Sequence, residues 1–81
     1  MLELYREVAL TRDLPQYKLQ AGDVVTLIDR VPHPDGGEEG YVLEVFSALG
    51  ESLAVTTVPG SAVRALSTHE ILTVRSLALA G

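Results

Sequence analysis

Apolar runs of a few residues alternate with turn residues about every ten positions along this chain, at Asp13-Leu14-Pro15, Ala21-Gly22-Asp23, Pro32 to Gly37, Leu49-Gly50-Glu51 and Pro59-Gly60-Ser61. That spacing favours a small sandwich or barrel over a helical bundle. The runs between the breaks are YREVALT, VVTLIDRV, GYVLEVFS, SLAVTTV and AVRALS, with EILTVRSL after them. They are rich in Val, Ile, Thr and Tyr, which suit a pleated, half-buried surface.

Within YVLEVF, Tyr41, Leu43 and Val45 share one face and Glu44 lies on the other, between Val42 and Phe46. Alternation therefore turns the first set inward. In SLAVTTV the two sets, Leu53-Val55-Thr57 and Ala54-Thr56-Val58, are equally apolar, and periodicity does not choose between them. VVTLI is apolar on both faces, as expected of a central strand or one covered by a neighbour. Strands at 41–47 and 52–58, separated by four residues including a glycine, predict a hairpin. Gly22-Asp23 reads as the turn that leads into the strand from Val24 to Arg30. PGSAV predicts a single 3₁₀ turn before a short last strand. The segment from Glu70 onward reads as an extra C-terminal strand or as a helix; helix is also the alternative at 61–66.

Composition narrows the picture. With 81 residues there is room for one domain, residues 1–81, and such a chain buries only roughly 60–65% of the surface its unfolded form exposes. The apolar content is 47%, but three tyrosines and one phenylalanine are the only aromatic residues, so Val, Leu, Ile and Ala fill a thin core that an oligomer would help. Six basic against eleven acidic residues give a net charge of −5, which repels phosphate backbones and anionic lipid. No nucleic-acid partner is expected. The absence of cysteine excludes disulfides, thiolate metal sites and cysteine nucleophiles, and fits a reducing cytoplasm. The start MLELYREVAL has no signal-peptide pattern, and no apolar run approaches the ~20 residues of a membrane span.

Two stretches, EVALTRDLPQYKLQAGDVVTLID and YVLEVFSALGESLAVTTVPGSAVRAL, together resemble domain of unknown function 4926, a family of small bacterial proteins with a VALTxDLPxxxLxxGDxGTVV opening and a YxVEFxxxxGxTLAxxTL hairpin. The likeness covers a core at 7–66, from which the loop at 32–39 departs, and leaves 67–81 as a C-terminal extension. It implies an all-β fold, a small five-stranded barrel of the SH3-like type, and a bacterial setting. It implies no activity and carries over no catalytic residue. Val25 stands where the family usually has glycine.

Candidate chemistry is sparse. His33 with Asp35, Glu38 and Glu39 is the one local set of metal donors, and its spacing matches neither zinc nor calcium loops. Glu38 and Glu39 read as solubilising charge. The acids of DGGEEG would repel a phosphate. PGSAV lacks the Gly-x-Ser-x-Gly of a nucleophile elbow, and His69 beside Glu70 would point to opposite strand faces. The expectation is a non-enzymatic protein-interaction module without cofactor or metal, of the antitoxin or immunity type. Its rival is a structural or accessory domain that self-associates into a homo-oligomer through a strand edge or the C-terminal segment. Candidate contact residues are Phe46 and Val42, which share an outward face, with Tyr5 and Tyr17. The partner expected is a protein, attracted by the acidic charge to a basic surface.

Overall fold

The computed structural model describes residues 2–33 and 37–77. It is all-β, with β1 (Arg6–Leu10), β2 (Val24–Val31), β3 (Gly40–Phe46), β4 (Ser52–Pro59) and β5 (Val63–Ala65), and 3₁₀ turns at Pro15–Tyr17 and Gly60–Ala62. The strands form one antiparallel sheet in the order β4-β3-β2-β1-β5. β2 is thus central, as its two apolar faces predict. The ladder runs from β4 at one end to β5 at the other.

Strand alternation sorts the side chains. Val8, Leu10, Val25, Leu27, Tyr41, Leu43, Val45 and Val58 point into one core cluster, joined by Leu14, Leu19, Ala62 and Val63. Tyr41, Leu43 and Val45 face inward as expected, and the structure decides the ambiguous strand: Thr56 and Val58 are buried, whereas Leu53 and Val55 are about half exposed, at 50% and 54%. Val25 is a core residue at 2% exposure. Its side chain fills space that the glycine of the family pattern would leave empty, so this position needs volume here and no close backbone approach. A register shift between Leu27 and Asp29 marks a bulge in β2, which lets one long strand bend between two partners.

The connection from Leu10 to Val24 is ordered by its own polar groups. Leu14 and Leu19 exchange backbone hydrogen bonds (2.9 and 3.1 Å) across the first 3₁₀ turn, and both leucines plug the core. The Ala21 N–H donates to Asp13 Oδ1 (2.9 Å) and the Gln20 N–H to Asp23 Oδ2 (2.8 Å). Gly22 takes φ +92°, a left-handed conformation that glycine enters at little cost. The β3–β4 hairpin turns at Ser47–Gly50, with the Gly50 N–H bonded to the Ser47 carbonyl at 2.9 Å.

Three boundaries differ from the sequence reading. β1 begins at Arg6 because Tyr5 sits at φ 62°, outside the strand region. β5 is Val63–Ala65, shorter than the run AVRALS, and follows the 3₁₀ turn expected of PGSAV, so the helical alternative at 61–66 does not form. The expected extra C-terminal strand or helix is absent from 66–77, which has no regular structure, while residues 78–81 lie outside those described. The segment's backbone joins no ladder; it is held by side chains. For the same reason His69 and Glu70 are not strand neighbours on opposite faces.

Candidate functional site

Residues that alternate away from the core build the sheet's second face. Across β1, β2 and β5, Ala9 is registered with Val24 on one side and Arg64 on the other, and Ala9 is 1% exposed although it lies outside the core cluster. Phe46 from β3 and Leu53 from β4 continue this face. Together with Ile71, Leu72 and Val74 they line a groove of about 570 Å³, with strands on one side and residues 70–77 on the other. Phe46 is 41% exposed, Ile71 87% and Val74 95%.

Two arginine clasps hold residues 66–77 against the sheet. Arg64 on β5 donates to both carboxylate oxygens of Glu70, at 2.9 and 2.7 Å. The Ser67 N–H adds a bond to Glu70 Oε1 (2.8 Å). These donors, the arginine first, hold the Glu70 carboxyl down at about 2 from an ordinary 4.5. At the other end Arg75 binds Asp23 through both oxygens, with Nε at 2.8 Å from Oδ1, and also reaches the Lys18 carbonyl at 3.2 Å. The Arg75 hydrogen bond lowers the Asp23 pKa, opposed by partial burial and aided by the Gln20 N–H. Leu77 then packs against the core. Gly22-Asp23 is therefore a turn, as read, and Asp23 is also the anchor of the C-terminal segment.

Of the four residues singled out from sequence, the structure brings only Phe46 to the groove. Val42 shares its outward face but is half-buried, opposite Thr57 and Asp29. Tyr5 is 76% exposed at the turn before β1, and Tyr17 lies in the first 3₁₀ turn; neither lines the groove. Glu38, read as solubilising charge, accepts the Ser61 N–H at 2.7 Å and ties its loop to the second 3₁₀ turn. Among the described residues no three His, Asp or Glu side chains converge as a metal site, and no helix is long and apolar enough to cross a membrane. The missed residues are Asp23, Arg64, Glu70 and Arg75. Their pairing across up to 52 positions has no local signature.

The family model for domain of unknown function DUF4926 matches residues 4–65. No curated protein and no solved structure matches the chain. The matched span ends at the last residue of β5, so both arginine clasps reach from it into residues beyond the family pattern.

Proposed function

The chain belongs to the DUF4926 family, and we propose that it serves as a non-enzymatic protein-interaction module whose contact surface is the groove between the sheet and residues 70–77. The observation that supports this reading is the placement of Phe46, the chain's one phenylalanine, half exposed beside Leu53 and Ile71 in an open depression whose apolar side chains lie between the two ion-paired clasps. Side chains of this size left in water on a small acidic domain contribute little to its own core, and apolar depressions of this kind are where partners dock. The partner in this reading is a basic protein of the cytoplasm, which the net charge of −5 would steer onto the surface; an antitoxin or immunity type of role belongs to the same proposal and rests on the family resemblance. The SH3-like barrel implied by the resemblance is part of the same proposal; the strand order β4-β3-β2-β1-β5 is compatible with it, and no pairing between β4 and β5 closes the sheet among the described residues.

The test compares proteins captured from the native host by tagged wild type and by Phe46→Asp. A basic protein retained by the wild type and lost from the variant, with circular dichroism unchanged, is the expected result. Identical captures by both baits would overturn the proposal.

A further inference from the structure

The open long edge of β4 offers a second surface, and its backbone hydrogen-bond parity is legible. The Gly60 N–H donates to the Glu39 carbonyl at 2.8 Å, one step beyond the registered pair Gly40↔Pro59. In an antiparallel ladder hydrogen-bonded and non-hydrogen-bonded pairs alternate. Gly40↔Pro59 is thus a non-bonded pair, which suits a proline. Thr56 and Val58 then bond to β3, while Val55 and Thr57 aim their N–H and C=O groups away from it, along the outer side of the last strand in the sheet.

That edge lacks the usual protection. Residues 52–58, SLAVTTV, carry no charge, whereas edges of monomeric sheets are normally blunted by lysine, inward charges or proline. Here only Pro59, at the strand's end, does so. Val55 is 54% exposed.

We infer that this edge pairs with β4 of a second copy of the chain, antiparallel about a two-fold axis at Thr56, so that Val55 and Thr57 of each copy bond Thr57 and Val55 of the other. This register satisfies all the outward groups of those two residues in about four hydrogen bonds. The occupant is a second copy because the edge is self-complementary in both chemistry and parity. The alternating Val and Thr side chains match themselves under the two-fold, and the charges that would oppose two acidic chains fall away from it. Glu44, nearest on β3 and bonded by Ser52 Oγ at 2.6 Å, would lie about 15 Å from its copy, beyond a Debye length of ~8 Å at physiological salt. Glu51 would lie about 30 Å from its copy. A joined ten-stranded sheet also adds burial to a chain with few aromatic residues, which small domains commonly gain by association.

The test uses the full chain. Light scattering across a concentration series is expected to show a dimer for the wild type and a monomer for Val55→Lys, which sets two like charges beside the axis and leaves the core untouched. Circular dichroism should be the same for both. The absence of native cysteine makes register testable: Val55→Cys and Thr57→Cys are expected to cross-link when mixed under oxidation, at a Cα separation of about 5.5 Å. Each alone should cross-link poorly. A wild type that stays monomeric, or a dimer that survives Val55→Lys, would overturn the pairing. Efficient cross-linking of Val55→Cys to itself would overturn the register.

Discussion

Two leucine truncations, identical in chemistry, separate the inside of this sheet from its outside. Leu27 is fully buried in the central strand, directly opposite Leu43. Leu53 is half exposed at the rim of the groove. Replacing Leu27 by Ala removes the transfer energy of the lost carbons and leaves a cavity in a close-packed site, at a cost of about 3–5 kcal/mol. Replacing Leu53 by Ala loses roughly half the burial and makes no cavity, because the site already opens to water, and should cost about 1 kcal/mol or less. An 81-residue domain has about 4–12 kcal/mol of stability in total, so Leu27→Ala consumes a large share of it. Urea titration followed by far-ultraviolet circular dichroism and tyrosine emission reads the difference. With a slope near 1 kcal/mol per molar urea, the Leu27→Ala midpoint should fall by roughly 3 M or the protein should be unfolded at the outset, and the Leu53→Ala midpoint by about 1 M. Losses that agree to within about 1 kcal/mol would refute the division into core and contact faces, because the cavity term separates the two sites by more than that.

Further expectations concern the clasps and the hairpin. Glu70 has a folded pKa of about 2 against 4.5, so its clasp is fully present above about 4.5 and is lost as pH falls towards 2; the Ser67 amide proton shift should titrate with a midpoint near 2, and a midpoint at 4.5 would refute the bidentate geometry. Asp23 is depressed in the same direction, and the Gln20 amide reports it in the same titration. Arg75→Ala is expected to speed proteolytic cleavage within 66–77 while the sheet's circular dichroism stays unchanged, whereas equal cleavage rates would show that the clasp does not hold the segment. Gly50→Ala places a Cβ at φ +86° with no atom within 4 Å, so the cost should be pure backbone strain of about 1–2 kcal/mol by thermal denaturation.

The five strands that form, their order along the chain and the β3–β4 hairpin are legible in the sequence because each rests on local signals, such as alternation in YVLEVF and Gly50 between two β-rich runs; that a sixth run stays out of the sheet is not. The inward face of SLAVTTV is not, since Leu53-Val55-Thr57 and Ala54-Thr56-Val58 are equally apolar and only pairing with β3 selects between them. EILTVRSL looks like a strand by residue type, yet its side-chain contacts to Asp23 and to the core are long-range and override propensity. Phe46 could be found by alternation, whereas the wall facing it depends on where residues 70–77 come to rest.

β1 pairs with β5 through Leu10↔Val63, and the Thr11 hydroxyl reaches the Ser61 carbonyl at 2.6 Å, across 50 positions. The meander β2–β3–β4 can assemble from neighbouring residues, but β1 waits for the final strand to cover its other side. Closing that long loop is entropically costly and slow compared with hairpin formation. During synthesis the first strand therefore emerges earliest and is completed last, and for that interval its Val8 and Leu10 are accessible to whatever holds nascent chains.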